Sequence, residues 1–199
     1  MASPARELAG IEERLQPGRV RQETLLRLGE LFESGSVCDP GPDGFLEGRA
    51  LLMSASGALN AVGRRLADWR MPWLGKAFDR SAARGVNVFA PWARPWMRAL
   101  WPSYVPEREL ADRIEAFRFQ TWLGPSAAGS GVTVLKIDYG REPTNPMLVR
   151  RVLDELVQLE DGVYLGKALI RTTSSYRQVG FFRLLAVAVR PSPSRDPGG

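Results

Sequence analysis

Lysine is scarce in this chain. Lys76, Lys136 and Lys167 are the only three among 27 basic residues. Two of them sit in one repeated string, PWLGKAF at 72–78 and VYLGKAL at 163–169. Unlike arginine, lysine is a compact cation that gives up its proton when buried, so it can serve as a charge partner, a proton donor or a base. If both strings form strands, side chains alternate between faces. Leu74, Lys76 and Phe78 then share one face, and Leu165, Lys167 and Leu169 share one in the second copy. Each lysine lies among large apolar neighbours. It either points inward and needs an acidic partner, or it snorkels at a rim. Glu47 and Asp138, both on expected strands, are the candidate partners. The ordinary alternative is a chance repeat of strand chemistry.

Other residues carry possible chemistry. IDYG places Asp138 and Tyr139 on opposite faces of a strand, with Asp138 on the face of Lys136. Asp138 is then an acid or base, a clamp for a polar ligand group, or simply a residue at the turn into GREPTNP. Trp69, Trp73, Trp92, Trp96 and Trp101 cluster within 69–101, and Trp122 is the sixth tryptophan. They form either pocket walls or core. In RRVLDELVQLEDG, Arg150 precedes Asp154 by four residues and Arg151 precedes Glu155 by four. On a helix these are surface ion pairs.

Several chemistries are excluded. The chain has no histidine, which removes Ser-His-Asp and Cys-His nucleophiles and His-ligated zinc or haem. No D-x-D-x-D-G loop, GK[ST] or G-x-G-x-x-G occurs. A metal or other cofactor is therefore not expected. One cysteine, Cys38, excludes an intrachain disulfide and fits a reducing compartment. The start, MASPARELAGIEERLQ, has no apolar signal core, and no run of about 18 apolar residues occurs. A cytoplasmic protein without a transmembrane segment is expected. Net charge is +5, but the arginines are scattered, so no dedicated nucleic-acid site is expected.

The elements that must position these residues follow from periodicity. Residues 4–14 and 19–34 read as helices, 34–44 as a Gly/Pro loop and 57–70 as a helix. Strands are expected at 44–54, 73–79, 85–91, 115–125, 132–140, 163–173 and 179–189. The segment 91–106 reads as a short helix or irregular cap. Helices are expected to start at 106–114 and to span 145–162, capped by Asn145 and stopped by Gly162. The fold class is α+β, mainly β: an antiparallel curved sheet or small β-barrel with N-terminal and inserted helices. The expected division is a helical extension over 1–43, a barrel-like domain over 44–190 and a disordered tail over 191–199.

GFLEGRALLMS, WLGKAF, IDYG and DELVQLEDGVYLGKAL together resemble a bacterial group of lipocalin-like (calycin-type) small proteins. That group has an early Gly-x-Trp-x-Gly strand, a Trp-x-Gly-Lys-x-Phe strand, an aspartate-tyrosine pair and a late acidic hairpin. The resemblance covers roughly 44–170, and the early strand, Phe45-Leu46-Glu47-Gly48-Arg49, lacks the tryptophan. It implies a small barrel with an interior pocket.

The leading functional expectation is a barrel that holds a hydrophobic or amphipathic small molecule, fatty-acid-like or polyketide- or isoprenoid-like. Trp73, Trp122, Tyr139 and Tyr164 would supply walls, and Lys76, Lys167 and Arg49 polar contacts to a carboxylate-bearing ligand. The alternative is a cofactor-free isomerase, cyclase or hydrolase in the same barrel, with Asp138 or Glu47 as acid or base. A third reading is an interaction module using helix 19–34 and the Trp-rich segment, with a homo-oligomer as one form of it.

Overall fold

The structure is a computed structural model that describes residues 3–15, 22–53, 72–127, 129 and 131–187. Its framework is nine strands: β1 (Gly44–Met53), β2 (Trp73–Asp79), β3 (Arg84–Phe89), β4 (Arg108–Glu109), β5 (Ile114–Pro125), β6 (Thr133–Asp138), β7 (Val152–Glu160), β8 (Val163–Arg171) and β9 (Tyr176–Ala186). The sheet order is β3-β2-β1-β9-β8-β7-β6-β5-β4, and β3 also pairs with β5. Every pairing is antiparallel. The eight long strands therefore close into an antiparallel barrel, and β4 adds a two-residue ladder to β5. Closure satisfies the backbone donors and acceptors that an open sheet leaves at its edges.

Alternation along the strands divides the apolar residues between two cores. Leu46, Phe78, Phe119, Ile137, Leu156, Phe182 and Leu184 belong to the interior cluster. Val134, Val157, Leu165 and Phe181 face outward and are covered by α1 (Pro4–Arg14) and α2 (Gln22–Glu33). Ser3 caps α1 by accepting from Arg6 N at 3.4 Å, with Pro4 in the first turn. Leu8 from α1 and Leu28, Leu31 and Phe32 from α2 supply the buried stripe. Buried Glu12 fixes α1 to the wall through Arg49 at 2.6 Å and Arg183 at 2.5 Å.

The two barrel ends differ. The tight turns 80–83 and 161–162 and the connection 126–132 lie at one end, where the loop 35–43 tucks Cys38 into the interior cluster. The longer connections 90–113 and 139–151 lie at the other end. There Pro91–Ala93 form a 3-10 turn that runs into α3 (Arg94–Leu100), and Ala93 and Met97 pack against the interior cluster.

Three sequence expectations need correction. Residues 145–162 are not a helix: a 3-10 turn at Val149–Arg151 leads into β7. Leu153, Asp154, Glu155, Leu156 and Val157 are all buried, because the barrel interior takes one face and the helical layer the other. A strand buried on both faces reads as a continuous apolar run that mimics helical periodicity. Residues 106–114 form β4 and a turn, so the acidic start after Pro106 opens no helix. Among the described residues the strands number nine rather than about seven. The expected helix 57–70 and the tail 191–199 lie outside the described residues.

Closure depends on glycines where the wall must bend or leave room. Gly75 has φ +145°, and a Cβ there would lie 2.0 Å from Leu46 O. A Cβ on Gly166 would lie 2.1 Å from the Phe182 ring. Gly75→Ala is expected to destabilise the barrel by about 2–3 kcal/mol, since both its backbone conformation and its contact are forbidden to L side chains. Gly166→Ala should lose about 1–3 kcal/mol by overpacking. Urea unfolding midpoints at constant slope check both.

Candidate functional site

Among the described residues, a polar cluster built on Lys76 lies in the interior. Its position depends on a β-bulge. The β2–β3 register shifts between Trp73 and Gly75, so that Trp73 pairs with Phe89 and Gly75 with Val88. The extra residue brings Trp73 onto the face of Lys76 and Phe78, the inner one, while Leu74 is exposed. Gly48 on β1 leaves space for the indole; a Cβ there would lie 2.5 Å from the Trp73 ring.

Four side chains from four strands meet at the cluster's centre. Lys76 Nζ lies 2.8 Å from Asp154 Oδ2 on β7 and donates to Asn87 Oδ1 on β3 at 3.0 Å. It also donates to the hydroxyl of Tyr139, just beyond β6. The Tyr139 hydroxyl donates to Asp154 Oδ2 at 3.1 Å and accepts from Asn87 Nδ2 at 3.0 Å. Asn87 Oδ1 further accepts from Trp73 Nε1 at 3.1 Å, and Asn87 Nδ2 donates to Phe117 O at 3.3 Å. The Lys76 ammonium thus has three acceptors, and the amide is held from both ends. Aromatic rings complete the enclosure. Lys76 Nζ lies 5.1–5.5 Å from the ring centroids of Tyr139, Phe119, Phe182 and Trp73.

Burial governs the electrostatics. Lys76 is 2% exposed and Asp154 5%. Desolvation pulls the Lys76 pKa below its ordinary value, and the Asp154 charge and hydrogen bond oppose this. Desolvation and then the Asp154 charge push the Tyr139 hydroxyl well above its ordinary value, so it is a neutral donor at pH 7. The site holds two donors, an ammonium and a phenol, beside one carboxylate. Both donors are engaged within the cluster, so a ligand oxygen would take the place of one of the pair's internal acceptors. Such a pair suits a carbonyl or hydroxyl oxygen in a dry enclosure.

The structure separates the residues singled out from sequence. Trp73, Lys76, Tyr139 and Tyr164 belong to the interior, Tyr164 near Cys38. Trp122, Lys167, Arg49, Asp138 and Glu47 do not. Trp122 stacks on the Arg141 guanidinium outside the barrel, 3.7 Å from ring centroid to Cζ. Arg49 pairs with Glu12 under α1. Glu47 is exposed. Asp138 is buried on the outer face, where it accepts from Gly140 N at 2.7 Å and pairs with Arg141 at 3.7 Å. The acidic partner of Lys76 is therefore Asp154 rather than Glu47 or Asp138. Neither is the interior basic, because Asp154 balances the single lysine.

The repeated strings face opposite ways. On β8 the inner residues are Tyr164, Gly166 and Ala168, and Lys167 points outward beneath α2, its Nζ 4.1 Å from the Phe32 ring centroid. Burial lowers the Lys167 pKa, against the charges of Glu33 and Glu155. Glu155, also on the outer face, accepts from Ser126 Oγ at 2.7 Å and Ala127 N at 2.5 Å. Cys38 donates to Leu156 O at 3.6 Å, and burial raises its pKa to about 12, which makes it a poor nucleophile. Among the described residues no group of three or more His, Cys, Asp or Glu could hold a metal.

Sequence reasoning missed Asn87 and Asp154 as site residues. Each did leave a trace. Asn87 is the lone amide in GVNVF, at the inward parity of Gly85 and Phe89. Asp154 interrupts the inward row Val152, Leu156 once 152–160 is read as a strand.

Removing one partner of the ion pair leaves a buried charge. Lys76→Met is expected to destabilise by about 3–5 kcal/mol, whereas Lys76→Met with Asp154→Leu should be neutral or stabilising by about 1–4 kcal/mol. Denaturant titration of the four proteins in this cycle measures the coupling. The pH dependence has a defined sign. The unfolded chain holds the Lys76 proton up to its ordinary 10.5, and the folded state releases it at lower pH. Stability therefore rises with pH through the window below 10.5. Above 10.0 the unfolded Tyr139 ionises before the folded one, and stability falls. Urea midpoints measured across this range should show the rise in the wild type and lose it in the double variant.

No family model matches the chain. No curated protein matches it. A crystal structure of a protein from Thermomonospora curvata is similar in fold, with a TM-score of 0.52 and 15% sequence identity, covering 92% of this chain and 98% of that one.

Proposed function

We propose that the protein binds a hydrophobic small molecule with a neutral polar head in the barrel interior. The observation that carries this reading is the Lys76–Asp154–Tyr139–Asn87 cluster inside an otherwise apolar barrel. A buried ion pair contributes little net stability compared with packed hydrophobic residues, so its presence is better accounted for by recognition. The up-and-down strand order and the enclosed aromatic interior also support the lipocalin-like reading of the sequence. Half-buried Trp73, Phe89, Val152 and Ala168 lie toward the α3 end, which is the natural entry for a ligand reaching Lys76 and Tyr139. The expected head group is a carbonyl or hydroxyl. A carboxylate would compete with Asp154 for the same ammonium and leave one negative charge unpaired. A polyketide- or isoprenoid-like ketone or alcohol fits better than a fatty acid.

The second reading is a cofactor-free isomerase or cyclase. It is favoured by the same juxtaposition of a carboxylate with two donors, Asp154 moving a proton while Lys76 and Tyr139 stabilise an enolate oxygen. Asp138 and Glu47 have no place in it, because both lie outside the interior.

Native mass spectrometry of the freshly purified protein, with organic extraction, tests the binding reading. A bound ketone or alcohol of defined mass is expected. Tyr139→Phe should weaken its binding about tenfold by removing one hydrogen bond to the head group, and Asp138→Asn should leave it unchanged. A protein that carries nothing and leaves a panel of such ligands in solution, as read by equilibrium dialysis, would sink the idea.

A further inference from the structure

The two barrel ends present different surfaces to solvent. At the α3 end, Trp92, Pro95, Trp96, Ala99 and Leu100 are all exposed. Trp92, Pro95, Trp96 and Ala99 share an outward face of the turn and α3, beside the buried Ala93 and Met97, and Leu100 is exposed at the end of the helix. No charged residue interrupts this stripe. Trp92, Trp96 and Leu100 are 45%, 46% and 47% exposed, and Val105, beyond α3, is 79% exposed. The connection 139–151, at the same end, adds Met147 at 81% and Leu148 at 57%. Among the described residues these are the largest exposures of bulky apolar side chains apart from Leu26 at 62% and Val187 at 50%.

The segments that carry them are tied down. Glu107 pairs with Arg118, and Asn145 Nδ2 donates to Arg118 O at 2.7 Å, so both connections are fastened to the same point of β5. Tyr104 stacks on Phe117 with ring centroids 4.9 Å apart. The exposed apolar residues are therefore a held surface.

The charge around them is net positive: the connections 90–113 and 139–151 hold Arg94, Arg98, Arg108, Arg113, Arg141, Arg150 and Arg151 against Glu107, Glu109, Asp112 and Glu142. Arg98, Arg141, Arg150, Arg151 and Arg171 are exposed at this end. Between 139 and 151 the one carboxylate is Glu142, which accepts from Gln120. Tryptophan, leucine and methionine set among arginines match a bilayer interface, where indole rings sit at headgroup level and guanidinium groups meet lipid phosphates.

We infer that the α3 end of the barrel docks on an anionic lipid surface, with Trp92, Trp96, Leu100, Met147 and Leu148 entering the headgroup layer. Net charge decides the occupant: the positive excess of this end attracts an anionic surface, whereas a second copy of this chain would bring the same excess against itself. The docking does not depend on the interior ligand.

The full-length protein is mixed with phosphatidylcholine vesicles, with and without phosphatidylglycerol, and binding is read by co-sedimentation and by the blue shift of tryptophan emission. The expected result is binding about tenfold or more stronger to the anionic vesicles, falling with added salt. Trp92→Ser/Leu100→Ser and Arg98→Glu/Arg150→Glu should each lower it by about tenfold while leaving the urea midpoint unchanged, since all four side chains are exposed. No binding by the folded wild type would overturn the proposal, whatever the outcome of ligand extraction. Anionic binding that survives the Trp92→Ser/Leu100→Ser variant would also overturn it, as adsorption by net charge alone. Self-association that the same variant abolishes, without vesicle binding, would replace it with a dimer interface.

Discussion

The enclosure of one ammonium group organises this molecule. Lys76 lies inside a closed barrel, where an uncompensated charge is not tolerated. Three strands must therefore bring acceptors to the lysine of β2: β3 with Asn87, β7 with Asp154, and the end of β6 with Tyr139. These strands are spread around the barrel wall, so the cluster forms only when the sheet has closed through β3 and β5. The bulge at Gly75 and the bare backbone at Gly48 belong to the same requirement. They seat the Trp73 indole against Asn87, which fixes the amide that faces the lysine.

The same closure explains the outer layer. With aromatic rings and the polar cluster on the inward faces, the outward faces of β6 to β9 still carry Val134, Val157, Leu165 and Phe181. Two amphipathic helices cover them, fastened by Glu12 between Arg49 and Arg183. Lys167 and Glu155 belong to that layer. Their burial is lateral, under α2 and the connection 126–132, and they have no part in the interior site. Sequence-identical strings thus serve two compartments of one fold: Lys76 completes an internal network, and Lys167 lies along a phenylalanine.

The interior cluster and the α3 surface are connected through the fold. The segment that presents Trp92 and Trp96 outward presents Ala93 and Met97 inward, against the same cluster that holds Phe117 and Tyr139. A short amphipathic unit can do both because its buried and exposed residues lie on different faces. Phe117, with φ +57°, packs against Phe89, Trp101 and Tyr104 and forms the base on which that unit rests.

Local pattern alone determined much of this protein. Alternation marked β1, β2, β5, β6, β8 and β9. The two N-terminal helices were legible from their one-sided stripes, and the absence of histidine excluded whole classes of catalyst. An antiparallel, barrel-like sheet followed from the run of strands without βαβ spacing. The pattern pointed to Lys76, Trp73, Tyr139 and Tyr164, because large or ionisable residues at regular parity within strands are visible in one dimension. Only the tertiary structure decided which face of each strand points inward. A one-residue bulge at Gly75 reverses parity, and no local signal reports whether a face meets the interior or a covering helix. That choice placed Asp138, Glu47, Arg49, Trp122 and Lys167 outside. It also turned VLDELVQLE from an expected helix into β7, where burial on both sides overrides helical propensity, and so supplied Asp154 as the counter-ion that sequence spacing had assigned to a surface pair.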